Sequence, residues 1–293
     1  MQVFVLYAIV VVIWGSTWAA IPFQLGVVAE EVSVAYRFAL GSISLFIYAA
    51  LSGRRIRIPL NQYRVVMVTG ALMFSANYLF TYYAMNYVTS GLVAVAFSLL
   101  VVCNAFLERV FFRKPLEARL MIASLLGVSG IACIFWPEVS DLALADRTVI
   151  GLLLAVIAVL FASFGNMGAI VSNSRNLPVI AVNAHGMAWG ALTSTVVALA
   201  LGQEFNFSFE TGYIVSLGYL AIFGSAVAFG CYLALLRTIG SARAAYTSVL
   251  FPIIALLIST IIEDYRWSPL AVIGILFIVA GNWLALTKFK RND

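Results

Sequence analysis

The chain has 293 residues, 63% of them hydrophobic and only 10% charged, with a mean hydropathy of +1.05; that balance excludes a soluble globular domain and leaves a polytopic membrane protein. The formal charge is +5, from 17 Lys and Arg against 12 Asp and Glu, but the cations are dispersed over several short segments, so the membrane reading replaces a nucleic-acid one. With no Walker motif, one His, and Cys103, Cys133 and Cys231 all inside apolar runs, the sequence offers no ATP site, cofactor site, metal site or disulfide framework.

A crossing helix needs about 20 mostly apolar residues for a hydrocarbon core of roughly 30 Å. Ten runs qualify: 3–22, 32–51, 65–85, 89–107, 118–136, 149–171, 178–201, 212–236, 242–262 and 268–287. The first lacks a basic n-region and a small-residue cleavage site, so it reads as an uncleaved span; it carries Trp14 and Trp18, one helical turn apart. The second holds Arg37 near its outer end. In the third, Ser75, Tyr78 and Tyr82 fall at spacings of three and four, on one helical stripe. The fourth ends before Glu108, and the fifth contains Gly127-Val128-Ser129-Gly130. An acidic gap, 137–148, follows. The sixth offers Ser163 and Asn166, the seventh His185. The eighth carries Gly224, Ser225, Phe229, Gly230 and Tyr232. The ninth carries Tyr246, Thr247 and Ser248 before Pro252, the one proline deep in a run. Gly274 and Gly281 mark the tenth.

The gaps give the orientation. Counting Lys and Arg in short loops, 14 of the 17 cations fall in alternate gaps: 52–64, 108–119, the gap at Arg175, the gap from Arg237 to Arg243, and the C-terminal tail. The opposite gaps hold Arg147 and Arg266, and Arg37 is within a run. Both termini are therefore expected in the cytoplasm, as an even number of spans requires.

The halves echo each other. Ala71-Leu72-Met73-Phe74-Ser75 corresponds to Ala221-Ile222-Phe223-Gly224-Ser225 at an offset of 150, and Tyr82, Ala94 and Ser98 meet Tyr232, Ala244 and Ser248 in the same register. Apolar composition alone also gives chance identities, so the register is what carries the comparison. Five spans per half is odd, so the second half (148–293) enters the membrane from the side opposite to the first (1–137). That is the inverted-repeat plan on which secondary transporters place a substrate site near the midplane. The expected fold is an all-α membrane protein with ten transmembrane helices in two inverted five-helix repeats, and the expected cavity is lined by spans 1, 3, 4, 6, 8 and 9.

With these cues on the page, namely Trp14-Gly15-Ser16-Thr17-Trp18, Tyr36-Arg37-Phe38, Glu263 closing the ninth span and Gly274 with Gly281 in the tenth, the chain resembles EamA-type members of the drug/metabolite transporter superfamily, and within it is similar to the bacterial aromatic amino-acid exporters. It departs from strict symmetry at Phe161-Ala162-Ser163-Phe164-Gly165, opposite the Trp-Gly-Ser-Thr-Trp motif, and at Arg113, opposite Glu263. The resemblance implies a multi-pass protein of the bacterial-type cytoplasmic (inner) membrane. It implies export of amino acids, aromatic ones favoured, or similar small metabolites by alternating access, with a small-molecule substrate and the lipid bilayer as partners. A monomer suffices for that reading.

On this reading Trp18, Tyr78, Tyr82 and Tyr246 stack on or hydrogen-bond the substrate side chain, while Ser225, Ser248 and Asn166 meet the zwitterion. Each also admits a packing role, since Ser, Thr and Asn join helices and tyrosines favour the interface. Pro252 and Gly224 are hinge candidates or static kinks. Intramembrane charge marks function by default, which singles out Arg37 and His185; Arg37 alternatively snorkels outward to Glu30 or Glu31, and His185 is alternatively a neutral bonded imidazole. No Asp or Glu falls in the middle of a run. Facilitated diffusion is therefore expected, with proton antiport through His185 as the alternative, histidine ordinarily titrating near about 6.5. The enzyme alternative is an intramembrane serine protease: Ser129 in its Gly-flanked loop and His185 resemble a rhomboid-type pair, but the glycines after His185, at 186 and 190, fit a helix contact better. A non-enzyme is expected.

Overall fold

A chain crossing hydrocarbon has no water to satisfy its amides, so each segment must close its hydrogen bonds internally, and these apolar runs form helices. The computed structural model describes residues 2–26, 28–88, 90–116, 118–141, 146–262 and 268–286. The helices are α1 (Gln2–Ala20, tightening into a 3-10 turn at Ile21–Gln24), α2 (Glu30–Leu51), α3 (Leu60–Met85), α4 (Ser90–Phe97, resumed as Leu100–Phe112) and α5 (Ala118–Asp141). They continue with α6 (Asp146–Ser174), α7 (Val179–Ala200), α8 (Thr211–Ile239), α9 (Ser241–Ala244, resumed as Thr247–Ile262) and α10 (Pro269–Leu286). No strand occurs among the described residues.

Within those residues, five helical stretches are long and apolar enough to cross a membrane: Gln2–Gln24, Glu30–Leu51, Leu60–Met85, Val149–Ser174 and Thr211–Ile239. Helix α7 has 22 residues and carries the buried polar residues Asn183 and Ser194. Prolines 59 and 178 stand just before α3 and α7, where a missing N–H breaks no helical bond. Gly240, at φ 86, turns α8 directly into α9, a backbone angle that L side chains resist.

Two helices carry a π segment, Leu72–Ala76 in α3 and Leu220–Val227 in α8. They coincide with the two pentapeptides that match at an offset of 150. Each admits an extra residue into the turn and rotates everything beyond it. In α8 the Ser225 hydroxyl follows the wider turn, donating to the Leu220 carbonyl five residues back at 2.9 Å.

Close packing runs through glycines, as expected where lipid offers no hydrophobic drive and van der Waals contact decides association. A Cβ on Gly70 of α3 would lie 2.2 Å from the Gly186 carbonyl oxygen of α7. On the opposite flank, α5 and α10 pack chiefly on each other, antiparallel, with Gly130 against Gly274 and Gly281 against Ala123. Helices α2 and α7 are also antiparallel: Ser42 donates to the Ala184 carbonyl, and Val32 clusters with Ala198.

These pairings sort the loops. Residues 52–59, 113–116, 175–178 and 240 share one end of the bundle, tied by Arg175 to Gln62, His185 to the Ile56 carbonyl, and Lys114 through Glu108 to Ser241. That end carries Arg54, Arg55, Arg57, Arg113, Lys114 and Arg175. Residues 26, 28–29, 86–88 and 201–210 gather at the other end, where Asn86 bonds Glu30 and Tyr36 reaches the Asn206 carbonyl. The first is the arginine-rich end and the second the acidic end.

Candidate functional site: a central aromatic cavity

The cavity lies between α1, α3, α4, α6, α8 and α9, the six helices expected from sequence. Helix α1 contributes Trp14, Thr17, Trp18 and Ile21, at i, i+3, i+4 and i+7 of one face. Helix α3 gives Met73, Asn77, Tyr78 and Thr81; α4 gives Phe97 and Leu100; α6 gives Ala162 and Asn166; α8 gives Phe229 and Tyr232; α9 gives Thr247 and Ser248. Its volume is about 70 Å³, room for about five waters at roughly 10–15 Å³ each on this measure. No formal charge stands in that lining.

Aromatic rings frame it. Trp14 meets Phe229 at 4.8 Å and Tyr232 at 5.0 Å between centroids, Trp18 meets Phe97 edge-on at 5.6 Å, and Tyr78 lies against Phe38 at 4.8 Å. The Trp14 indole donates to the Gly224 carbonyl at 2.9 Å, while the indole N–H of Trp18 and the side-chain oxygens of Asn77 and Asn166 lack a protein partner. Buried polar atoms are seldom left unpaired, and here these three, with the Tyr232 hydroxyl, belong to residues that line one cavity.

The structure brings together Trp18, Tyr78, Asn166 and Ser248 from the predicted set. It places Tyr82, Ser225 and Tyr246 behind the wall. The Tyr246 hydroxyl donates to the Leu120 carbonyl of α5 at 2.8 Å and lies 3.1 Å from the Ser124 hydroxyl. Tyr82 and Ser225 face Arg37, because the π segments turn α3 and α8 out of simple helical register. Asn77 and Thr81 occupy the cavity face instead; their four-residue spacing was a signal that the tyrosines outweighed. Gly224 has a contact reason to be glycine: a Cβ there would lie 2.9 Å from Thr17 Cγ2 and 3.3 Å from an Arg37 guanidinium nitrogen. Pro252 is within α9, and its side chain is outside the described set.

Arg37 does not reach out to Glu30 or Glu31. It is 1% exposed and turned inward: Nε donates to Ser225 Oγ at 3.0 Å, Nη1 lies 3.5 Å from the Tyr82 hydroxyl, and Cζ sits 4.5 Å from the Tyr78 ring centroid. Glu31 instead accepts from the Tyr83 hydroxyl, and Glu30 from Asn86.

His185 stands apart from the cavity, at the arginine-rich end. Nδ1 is 3.1 Å from the Tyr63 hydroxyl and Nε2 is 3.0 Å from the Ile56 carbonyl. A carbonyl can only accept, so Nε2 carries a proton, and both ring nitrogens have a partner. Ser129 is exposed on the outside of α5, and these partners of His185 leave no Ser129–His185 pair.

From the cavity toward the arginine-rich end runs a polar chain that the apolar runs concealed. Asn104 Oδ1 accepts from Ser163 Oγ at 2.7 Å and from Asn166 Nδ2 at 3.2 Å, while its Nδ2 donates to the Ser241 carbonyl at 3.3 Å. Ser241 donates from its hydroxyl and backbone N–H to Glu108, whose other oxygen pairs with Lys114 Nζ at 3.0 Å. Glu108 lies just past the fourth apolar run. Helix α4 continues to Phe112, and Glu108 is 7% exposed. Its partners, Ser241 at the start of α9 and Lys114 in the loop after α4, lie outside that run.

A sequence profile described as the EamA-like transporter family matches residues 2–136 and 149–287. The chain is 22% identical to Protein PagO of Salmonella typhimurium over 285 residues, covering 96% of this chain and 92% of that one. It is 23% identical to the uncharacterized inner membrane transporter YedA of Escherichia coli K12 over 286 residues, covering 94% and 90%. A solved crystal structure of a protein 17% identical in sequence superposes with a TM-score of 0.78, covering 97% of this chain and 96% of that one; at that identity the likeness is one of fold.

Proposed function

We infer, since the chain belongs to the EamA-like transporter family and is a multi-pass inner-membrane protein, that it exports amino acids, aromatic ones favoured, or similar small metabolites by alternating access. The observation that carries this reading is the cavity lining: six aromatic residues with Thr17, Asn77, Thr81, Asn166, Thr247 and Ser248, and no formal charge. Rings offer offset or edge contacts worth about 0.5–1.5 kcal/mol beyond area burial, and the unpartnered Trp18, Asn77 and Asn166 atoms supply the few directed polar groups that fix a small ligand. Trp18, Tyr78, Asn166 and Ser248 are assigned as substrate contacts, with Asn77, Thr81 and Tyr232 beside them.

The proposed topology is ten spans in two inverted repeats, 1–137 and 148–293, with the arginine-rich end in the cytoplasm. The Asn104–Glu108–Ser241 chain then lies toward the cytoplasmic side. A cysteine placed in loop 52–59, and a reporter after Asp293, should be shielded from impermeant reagents in intact cells; labelling of either from outside refutes the orientation.

Downhill movement of a neutral zwitterion needs no titrating group, so facilitated diffusion is proposed. The buried carboxylate of Glu108, joined to the cavity through Ser241, Asn104 and Asn166, favours a second reading, proton antiport. Proteoliposomes decide between them. Labelled L-phenylalanine or L-tryptophan should exchange by counterflow without being concentrated by a pH gradient, and His185→Gln should exchange like the parent. Uphill accumulation driven by the gradient and lost in Glu108→Gln would establish the antiporter; lack of exchange for every amino acid tried sinks the amino-acid reading.

A further inference from the structure

We propose that Arg37 is the anion-binding group of the transport cavity, and that its ligand is the carboxylate of the transported molecule. The inference rests on the transporter reading above and narrows it to carboxylate-bearing substrates.

A guanidinium buried away from water is costly unless a counter-charge and hydrogen bonds repay it. Among the described residues, no carboxylate stands within 4 Å of Arg37. Its neighbours are neutral: the Ser225 hydroxyl at 3.0 Å, the Tyr82 hydroxyl at a long 3.5 Å, and the face of Tyr78 at 4.5 Å. These stabilise a cation without neutralising it. Arginine has five N–H donors in a planar fork that fits a carboxylate bidentately; those two hydroxyl contacts use two of them.

Arg37 is also adjacent to the cavity. Tyr78, whose ring it faces, is itself a cavity-lining residue. Gly224 is packed between the guanidinium and the cavity wall: a Cβ there would come 3.3 Å from Arg37 Nη2 and 2.9 Å from Thr17 Cγ2, and Thr17 lines the cavity. The Tyr78 ring and the Gly224 backbone thus separate an uncompensated cation from a cavity whose own lining offers a carboxylate no charge. A rotamer change of Tyr78 would bring the two together. Both partners of Arg37 lie within or beyond π segments, which are frequent at functional sites.

The test uses the full chain in proteoliposomes, with counterflow of labelled L-phenylalanine challenged by three unlabelled probes: L-phenylalanine, 3-phenylpropanoate, which keeps the carboxylate and lacks the amine, and L-phenylalaninamide, which keeps the amine and lacks the carboxylate. Both acids should compete at least tenfold better than the amide. Arg37→Gln should reduce that preference at least tenfold, Arg37→Lys should retain part of it, and Gly224→Ala, which presses a methyl against Thr17 and Nη2, should weaken the acids more than the amide. A strut that merely orders Tyr78 and Ser225 would change all three probes alike. If Arg37→Gln fails to fold, the parent, Arg37→Lys and Gly224→Ala decide the matter on the same ratio. Equal competition by acids and amide in the parent, or an unchanged preference in the folded variants, overturns the role of Arg37 and leaves the transport reading standing. A parent that exchanges neither L-phenylalanine nor the other probes overturns both.

Discussion

Gly70→Val is expected to yield no monodisperse protein after detergent extraction, while Gly218→Ala behaves like the parent or better. The new Cβ at position 70 would stand 2.2 Å from the Gly186 carbonyl oxygen and 2.9 Å from the Gly186 carbonyl carbon and Cα. These are backbone atoms, so no side chain can swing aside, and α3 and α7 must part along their length. Overpacking typically costs about 1–3 kcal/mol and more where backbone has to move. The separation would also disturb Gly190, packed on Phe74, and the Ser75–Ser194 hydroxyl contact. Gly218 has nothing within 4 Å of its would-be Cβ, and alanine is the better helix former by roughly 0.5–1 kcal/mol. Size-exclusion profiles and thermal melts of the pair check this. An unshifted melt for Gly70→Val would mean that the two helices do not approach this closely.

Asn104→Leu should reduce exchange at least tenfold while membrane abundance stays near the parent's. The side chains are close in size, but leucine offers no polar atom to Ser163, Asn166 or the Ser241 carbonyl, which Asn104 now joins. Each buried polar group left unpaired costs about 1–3 kcal/mol. Three such groups suffice to shift a two-state equilibrium substantially, since moving from 1:99 to 99:1 takes about 5.5 kcal/mol. On the alternating-access proposal, the state that loses is the one in which this chain of hydrogen bonds is formed. Hydrogen exchange should therefore quicken in peptides covering Leu100–Phe112 and the start of α9, and should not change in the α5–α10 pair. Parent-like exchange and transport together would reduce the Asn104 chain to ordinary packing.

The class of this protein was legible in its sequence because the bilayer enforces it. Long apolar runs with charges in the gaps admit few solutions, and unsolvated amides restrict those to helices or closed barrels. Local periodicity also carried far on α1, where Trp14, Thr17, Trp18 and Ile21 follow an undisturbed α-helix into the cavity. The resemblance between Ala71–Ser75 and Ala221–Ser225 located the two places where the helices carry π segments, though their meaning was not visible in the residues.

What tertiary structure decided lay where regular spacing or hydropathy ceased to govern. The π segments moved Tyr82 and Ser225 from the cavity to Arg37, which no count of threes and fours predicts, since hydrogen-bond register is chosen by packing against neighbouring helices. Hydropathy ended the fourth run before Glu108, yet α4 continues and buries that carboxylate, because its partners Ser241 and Lys114 arrive from another helix and from the following loop. Arg37 and His185 looked alike as lone intramembrane charges. The fold gave His185 two neutral partners and left Arg37 with no counter-charge among the described residues, a difference set by which side chains meet across the bundle, and distance along the chain does not record that.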